Sequence, residues 1–146
     1  MLNEMNKMLT KNLWEKLESC FIDEVAEDFI EILLKLMSTV FLLDYGYRKN
    51  IQNFRGNYLF KSSDGAITVS AIFQNSTMKV MEQEIPDPDI TVIFSNGKAL
   101  FSFIFSPNQN ILQSMLNNEL TTRGNLNYIY RFGFLAKKLQ LLMTGK

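Results

Sequence analysis

Residues 87–94 read Asp-Pro-Asp-Ile-Thr-Val-Ile-Phe, and they predict a strand that begins at Asp89 and ends at Phe94. Successive side chains of a strand point to opposite faces of its sheet, so every second residue belongs to one face. The apolar side chains that share one face are those of Ile90, Val92 and Phe94. Ser95 follows, and its side-chain oxygen is typical of a residue that caps the start of a helix. A buried strand followed by a helix is therefore predicted here.

A second short strand is predicted further along the chain, where residues 119–125 read Glu-Leu-Thr-Thr-Arg-Gly-Asn. It covers residues 120–123 and closes on Gly124 and Asn125. A long apolar helix follows at once and is predicted to run from residue 125 or 126 to residue 143. The second half of the chain thus has the predicted order strand, helix, short strand and final helix.

This order of elements resembles the sterol carrier protein 2 (SCP-2-like) lipid-binding family. The family's pattern is an aspartate-led strand, an apolar helix, and a short strand that closes on Gly-Asn or Gly-Asp before a final helix. The resemblance covers roughly residues 51–143. It implies a five-stranded sheet whose helices enclose an apolar tunnel for fatty acyl chains, sterols or other lipids. Binding in such a tunnel is non-covalent, and apolar burial drives it at about 25 cal/mol per Å².

The chain departs from the family's pattern at three places. The family often has glycine after the apolar helix, where this chain has Ser106 and Pro107. It often has glycine before the last strand, where this chain has Asn118, a mild change because asparagine tolerates the left-handed backbone. The last residues, 144–146, read Thr-Gly-Lys instead of the Ser-Lys-Leu peroxisomal address of eukaryotic members.

The composition indicates one domain with a large apolar interior. Of the 146 residues, 47% are hydrophobic and 12 are phenylalanines, which suffices for a sizeable core or for a core around an apolar cavity. The chain has 15 basic and 15 acidic residues, so its formal charge is zero. We expect no nucleic-acid binding, because that function depends on a concentrated basic surface.

Cysteine usage and hydropathy predict a cytoplasmic protein. The single cysteine, Cys20, permits no internal disulfide and fits a reducing compartment. Residues 1–7 lack the basic and apolar regions of a signal peptide. The most apolar segment, residues 29–43, is shorter than the about 20 residues that a membrane span needs and contains Glu31 and Lys35. A buried helix is the preferred interpretation of this segment.

The N-terminal segment, residues 1–45, carries two helical patterns. They cover residues 11–21 and 23–43, either as separate helices or as one bent helix. An acidic row marks the second pattern, and a solvated face explains it better than a metal site because the chain has no histidine. Its members are Asp23, Glu24, Glu27, Asp28 and Glu31. This helical extension could cover the cavity, fill the tunnel entrance, or pair two copies into a homodimer.

An antiparallel meander is predicted in the middle of the chain. Residues 44–50 break the helical pattern and are interpreted as a connection. Three strands follow, at residues 54–61, 66–73 and 77–82. Turns separate them at residues 62–65, where Asp-Gly favours a hairpin, and at residues 74–76.

Residues 100–105 read Leu-Phe-Ser-Phe-Ile-Phe and give two conflicting signals. Their alternation favours a strand, whereas the resemblance implies a helix. We predict a helix over residues 96–106, because Ser95 and Pro107 frame it at its two ends. A further short helix is predicted over residues 107–116.

The final helix carries two apolar stripes. The first consists of Tyr128, Phe132, Leu135, Leu139 and Leu142. The second lies nearly opposite and consists of Tyr130, Phe134 and Leu141. A helix with two apolar faces is expected to bury both. One stripe would cover the sheet or a cavity, and the other would contact the N-terminal helices, a second subunit or lipid.

No catalytic arrangement is evident in the sequence. Histidine, the commonest general base and metal ligand, does not occur, and Cys20 lies on an apolar helical stripe that predicts a core position. Asp87 and Asp89 resemble paired carboxylates, but their setting beside prolines favours roles in a turn and at the start of a strand. The chain lacks a phosphate-binding glycine-rich loop. We expect neither an enzyme nor a metal or cofactor site.

Two interpretations of the apolar helices remain open, a filled core and a ligand cavity. Aromatic stripes alone favour a filled core, and the resemblance favours a cavity. Under the resemblance, the tunnel wall is predicted to contain Phe101, Ile104, Leu112, Leu116, Tyr128, Phe132, Leu135 and Leu139. Whether Tyr128 or Tyr130 anchors a polar head group is left open.

The sequence as a whole predicts one α+β domain over residues 1–146, with a sheet-helix core at residues 51–143. Its architecture is a five-stranded mixed sheet, built from an antiparallel meander and crossover strands, covered by helices and preceded by the N-terminal helical extension. The predicted function is non-catalytic binding or transfer of a hydrophobic lipid, with transient membrane contact. The alternatives are a dimerising structural or regulatory module with a filled core, and an accessory factor that presents a lipid-like substrate, such as a quinone precursor, to enzymes.

Overall fold

The computed structural model of this chain describes residues 29–95 and 120–144, together with the single positions 8, 11, 12, 14, 15, 100 and 104. The described residues combine helices with one sheet, which confirms the predicted α+β class. The elements are α1 (Phe29–Leu43), α2 (Tyr45–Arg48), a 3₁₀ turn (Lys49–Ile51), β1 (Gly56–Ser62), β2 (Thr68–Gln74), β3 (Thr77–Met81), β4 (Ile90–Phe94), β5 (Leu120–Gly124) and α3 (Asn127–Thr144).

The five strands form a mixed sheet in the spatial order β3-β2-β1-β4-β5. β1, β2 and β3 pair antiparallel and make up the predicted meander. β4 lies on the other side of β1 and runs parallel to it, and β5 then pairs antiparallel with β4. The mixed five-stranded architecture is therefore confirmed, with β1 as the central strand.

The faces of the sheet follow the alternation that the sequence shows. In β4, Ile90, Val92 and Phe94 are buried, whereas Thr91 and Ile93 are only partly buried. The inward side chains of the meander are those of Tyr58, Phe60, Val69, Ala71, Phe73 and Met78. These apolar side chains form one core with the helices that cover this face.

Asp89 joins the start of β4 to the start of β1. Its backbone N–H donates to the carbonyl of Asn57 at 2.8 Å, and its Oδ2 accepts the N–H of Asn57 at 2.8 Å. The carbonyl of Asp89 also accepts the N–H of Asn125 at 3.3 Å, directly after β5. This aspartate thus has the strand-start role expected for it, and it ties three strands together at one end of the sheet.

The two hairpins of the meander use different turns. Asn75 and Ser76, between β2 and β3, have φ angles of 53° and 59°, which suit a two-residue turn between twisted strands. The β1–β2 connection is longer than predicted, because β2 begins at Thr68, two residues later than expected. Within this loop the Ser62 hydroxyl donates to Asp64 at 2.6 Å. Side-chain hydrogen bonds therefore organise a loop that the Asp-Gly pair alone does not close.

Helix α1 packs across β3 and β2 and is the buried helix predicted for residues 29–43. Its buried residues are Phe29, Ile30, Leu33, Leu34, Leu36, Met37, Val40 and Phe41. The Ser38 hydroxyl donates to the carbonyl of Met78 at 3.1 Å, and Lys35 pairs with Glu82 at 3.0 Å on the exposed side. Of the acidic row, only Glu31 lies among the described residues.

The segment after α1 is helical, so the prediction of a connection over residues 44–50 is wrong. Asp44 caps α2, because its Oδ1 accepts two N–H groups of that helix at 2.9 and 3.4 Å. The Tyr47 ring stacks on Phe41 at 4.1 Å, and its hydroxyl donates to the carbonyl of Leu135 at 2.9 Å. A single helical turn is too short to show an apolar period, so the sequence pattern did not predict it.

Helix α3 buries only one of its two predicted apolar stripes. Its buried residues are Ile129, Phe132, Gly133, Leu135, Ala136 and Leu139. The first stripe ends there, because Leu142 is 43% exposed. The second stripe is exposed by 49% at Tyr130, 46% at Phe134 and 40% at Leu141. Within the single chain the sheet contacts one face of the helix, so burial of the second stripe against a second subunit or lipid stays a prediction.

The isolated described positions agree with two of the predicted helices. Leu100 and Ile104 are both helical and buried, as the helix predicted over residues 96–106 requires. Trp14, from the first predicted helix, is helical and belongs to the core. Lys11, Asn12 and Glu15 of the first predicted helix are helical as well, while the remaining residues of both helices and the whole helix predicted over residues 107–116 lie outside the described residues. The role of the N-terminal extension stays a prediction.

We expect Gly124→Ala to destabilise the protein far more than Gly65→Ala. Both glycines have positive φ, 119° and 78°, so either alanine costs about 1–2 kcal/mol of backbone strain. A Cβ at residue 124 would also overlap the carbonyl oxygen of Asp89, whereas a Cβ at residue 65 meets nothing within 4 Å. Urea unfolding of the two variants measures the difference. Equal losses of unfolding free energy would contradict a steric constraint at Asp89.

Candidate functional site

The structure describes five of the eight residues predicted to line a tunnel. Ile104, Phe132, Leu135 and Leu139 are buried, with exposed fractions from 0% to 3%. Tyr128 is only partly buried and packs against the core from the surface side. The other three predicted wall residues, Phe101, Leu112 and Leu116, lie outside the described residues. The tunnel itself therefore stays a prediction.

Helix α3 brings Phe132, Leu135 and Leu139 onto the aromatic centre of the sheet. The ring of Phe132 lies 5.2 Å from that of Phe60 and 5.6 Å from that of Tyr58. Leu135 and Leu139 follow on the same face of α3 and are buried in the same core. These positions share a face because three- and four-residue spacing places side chains on one side of a helix.

A row of aromatic rings connects this core to the surface at the start of α3. Tyr58 lies 5.4 Å from Phe73 and 5.9 Å from Tyr128, measured between ring centroids. Phe54, before β1, lies 5.4 Å from Phe73 and 6.3 Å from Tyr128. Tyr128 therefore belongs both to the predicted tunnel wall and to the surface end of the aromatic row.

The hydroxyl of Tyr58 fixes the first turn of α3 against the sheet. It donates to the carbonyl of Tyr128 at 2.7 Å. Burial is the main cause that raises the pKa of Tyr58 far above its ordinary value, and Tyr128 raises it further. Tyr47 also has a raised pKa because of its burial. Both hydroxyls are therefore protonated donors at neutral pH.

An open cleft of about 620 Å³ lies where β1 and α3 begin. We call it the Arg131 cleft. Aromatic and basic side chains line it together with asparagines, and its principal residues are Phe54, Arg55, Asn125, Asn127, Tyr128 and Arg131. The volume falls within the about 300–1,000 Å³ that is usual for small-molecule sites. The cleft is thus large enough for a small ligand and has both apolar and polar walls.

Arg131 is held in this cleft by two contacts. Its guanidinium carbon lies 4.8 Å from the centre of the Phe54 ring. Its Nη2 donates a hydrogen bond to the carbonyl oxygen of Asn50 at 2.8 Å. Its Nε is buried and has no hydrogen-bond partner among the described residues. Since an unsatisfied buried donor costs roughly 1–3 kcal/mol, this side chain is held in place at some cost.

Few local features of the sequence predict the Arg131 cleft. Arg131 lies between the two apolar stripes of α3, a position to which the sequence pattern assigned no function. Phe54 and Arg55 were assigned to a strand that in fact begins at Gly56. Asn53 has a φ of 64°, and a left-handed asparagine before a strand is the one local sign that the backbone turns here.

A second concavity, of about 240 Å³, lies at the opposite end of β1. It is lined by the β1–β2 loop and by the end of β4. Hydrogen bonds from the Ser62 hydroxyl and from the Ala66 N–H lower the pKa of Asp64, which stays ionised and organises the loop. The polar groups that line this second concavity already bond to one another within the loop. The concavity is therefore a weaker candidate for a binding site than the Arg131 cleft.

Metal sites and membrane spans are two further features to consider for the described residues. Among them, no three histidine, cysteine, aspartate or glutamate side chains are grouped so as to hold a metal ion. Nor does any helix in the described ranges have the length and hydropathy of a membrane span.

No protein-family model and no curated protein matches the chain. Solved structures do match. A structure described as "UbiJ-SCP2 Ubiquinone synthesis protein" is similar with a TM-score of 0.51 and 17% identity, over 66% of this chain and 75% of that chain. The sterol carrier protein domain 2 of Helicoverpa armigera is similar with a TM-score of 0.52 and 15% identity, over 77% of this chain and 87% of that chain.

Two further structures show the same architecture in different settings. Sterol carrier protein 2 of Yarrowia lipolytica, in its apo form, is similar with a TM-score of 0.50 and 18% identity, over 75% of this chain and 90% of that chain. The alkylsulfatase Pisa1 from Pseudomonas sp. is similar with a TM-score of 0.55 and 13% identity, over 71% of this chain but only 16% of that chain. The chain therefore has the SCP-2-like fold, as the resemblance implied.

We expect the stability of the protein to fall as the pH rises above about 10. The unfolded chain releases the protons of Tyr47 and Tyr58 near that pH, whereas the folded protein, with both pKa values raised, retains them. The unfolded state then binds fewer protons, so a higher pH favours unfolding. Urea unfolding between pH 8 and pH 11 measures this slope.

Matched variants separate the buried tyrosines from other titrating groups. Tyr47→Phe and Tyr58→Phe should each flatten the alkaline slope. Tyr130→Phe, at a residue that is 49% exposed, should leave it unchanged. An unchanged slope in both buried variants would contradict the role assigned to these hydroxyls.

Proposed function

We propose that this chain binds a hydrophobic ligand without converting it chemically. The ligand class is a lipid with a fatty acyl, sterol-like or isoprenoid group, and the function is its binding or transfer. The observation that carries this proposal is the Arg131 cleft, whose aromatic wall continues into the core of the sheet through Tyr128 and Tyr58. The SCP-2-like fold supports it, because two proteins with this fold are described as sterol carrier proteins.

The proposed route for an apolar chain follows the buried face of α3. Tyr128 lies at the cleft, and Phe132, Leu135 and Leu139 succeed it toward the far end of the helix. Ile104, with Phe101, Leu112 and Leu116, completes the proposed wall. Each methylene group that leaves water on this route contributes about 0.8 kcal/mol. Apolar burial is thus sufficient to retain a lipid without covalent chemistry.

A second candidate function is that of an accessory factor that presents a lipid-like substrate to biosynthetic enzymes. The observation that favours it is the structural likeness to a protein described as taking part in ubiquinone synthesis. Such a factor would hold a quinone precursor in the same site. Copurification of biosynthetic enzymes with the tagged chain would favour this candidate, and a free monomeric carrier would favour the first one.

We expect the purified protein to carry a lipid in stoichiometric amount. The test is the native mass of the protein, followed by extraction with organic solvent and mass spectrometry of the extract. A protein that is free of lipid and ignores added fluorescent fatty acids and sterols would contradict the proposal. A filled core and a role as a dimerising interaction module would then be the better account.

A wall residue and an exposed residue of α3 offer a matched test. Leu139→Phe should lower lipid affinity, because its larger ring would occupy the proposed route. Leu141→Phe, on the exposed stripe, should leave affinity unchanged. Overpacking a filled core costs about 1–3 kcal/mol, so urea unfolding of both variants is the control. If Leu139→Phe loses stability without any change in lipid affinity, Leu139 is a core residue rather than a wall residue.

A further inference from the structure

We infer that the Arg131 cleft is an anion site that binds the negatively charged head group of an amphipathic ligand, a carboxylate or a phosphate. This inference rests on the proposed function for the identity of the ligand's apolar part. It adds the charge of the ligand and names the residues that recognise it.

The charge of the cleft is the first step of the argument. Both charged residues that line it, Arg55 and Arg131, are cations, and none of its lining residues is acidic. Within the described ranges, the ion pairs are Lys35 with Glu82 and Lys61 with Glu84, away from the cleft. The two arginines are therefore not neutralised by any described carboxylate, and a bound anion would complete the site.

Two described carboxylates, those of Asp89 and Asp44, are already engaged by backbone N–H groups. Asp89 accepts the backbone N–H of Asn57 at 2.8 Å through its Oδ2, and it does not line the cleft. The carboxylate of Asp44 accepts N–H groups at the start of α2. Neither carboxylate forms an ion pair with Arg55 or Arg131 in the part of the chain that the structure describes.

The position of Arg131 is the second step. Stacking on Phe54 and the bond to the Asn50 carbonyl fix the plane of its guanidinium group before any ligand arrives. A guanidinium carries five N–H donors, and the bond to Asn50 uses one of them. A planar group held in this way is suited to bind two oxygens of one carboxylate or phosphate at once.

The other walls of the cleft suit the atoms beside a charged head group. The Asn125 Oδ1 accepts the backbone N–H of Asn127 at 2.9 Å, so its amide NH₂ is directed to other acceptors. The N–H groups of Tyr128 and Ile129 donate within the chain at 3.1 and 2.9 Å, so the positive charge comes from the arginines rather than from the helix end. The rings of Phe54 and Tyr128 provide the apolar wall for the first carbon atoms of the ligand.

The test compares three ligands of equal chain length with the full-length protein. Calorimetry at low salt with dodecanoate, dodecyl phosphate and dodecan-1-ol should show that the two anions bind about tenfold more tightly than the alcohol. Arg131→Gln should remove most of this preference, because the guanidinium that Phe54 and Asn50 hold in place is lost. Arg55→Gln, at an exposed position, should reduce the preference by a smaller factor. Arg123→Gln, at an exposed residue of β5 outside the cleft, is the matched control and should change nothing.

Folding is controlled in two ways. Arg131→Lys retains the charge but not the planar fork, so it should keep a part of the preference. Arg55 makes no hydrogen bond or ion pair with the described residues, so its replacement should reduce anion affinity without lowering the melting temperature. If neither Arg55→Gln nor Arg131→Gln changes the ratio of anion to alcohol affinity, the inference is wrong.

The same titrations separate this inference from the proposed function. Equal affinity for the acid and the alcohol would leave lipid binding intact and overturn the anion site. Binding of inorganic phosphate alone, lost in Arg131→Gln, with no affinity for any dodecyl ligand, would support an anion site for a free phosphate and overturn the lipid function. If none of the four probes binds, the anion site and the fatty acyl form of the proposed function are both wrong.

Discussion

The structure depends on the junction that Asp89 makes between three strands. The aspartate pairs with both backbone groups of Asn57 on β1, and its carbonyl receives the N–H of Asn125 as the chain leaves β5. The backbone therefore passes so close to Gly124 that a side chain there would collide with Asp89. Asp89 at the start of β4 and Gly124 at the end of β5 are therefore in direct backbone contact. This contact sets the register between the two strands and the point at which α3 begins.

The Arg131 cleft is a consequence of this junction. Because β1 and α3 both begin at the same end of the sheet, the residues that precede them face each other across open space. Gly56 leaves room for the rings of Phe54 and Tyr128, which a Cβ at that position would approach to 3.0 and 3.1 Å. The aromatic row then leads from the cleft into the core. The junction thus places a polar opening next to apolar walls, which is the arrangement that an amphipathic ligand needs.

Helix α3 has one apolar stripe that is buried against the core and a second one that is exposed on the surface. Two backbone carbonyls on its inner face accept hydrogen bonds from tyrosine hydroxyls, one from Tyr58 of the sheet and one from Tyr47 of α2. Its outer stripe of large apolar residues stays exposed. The sequence pattern predicts both stripes equally well. A helical period of apolar residues identifies an apolar face, but it does not identify the element that packs against that face. Only the packing of the helix shows which stripe contributes to the core.

The amino-acid pattern determined the strands, the meander, the buried stripe of α1 and the helical end of the chain, because alternation and helical spacing are local properties. It also located the Asp89 and Gly124 positions. Tertiary structure alone decided that β1 is central, that residues 45–51 are helical, and that Arg131 and Phe54 meet. Those features arise from contacts between residues far apart in the chain, and no local period encodes them. A site made of single residues from a loop and a helix is therefore found only once the sheet has brought them together.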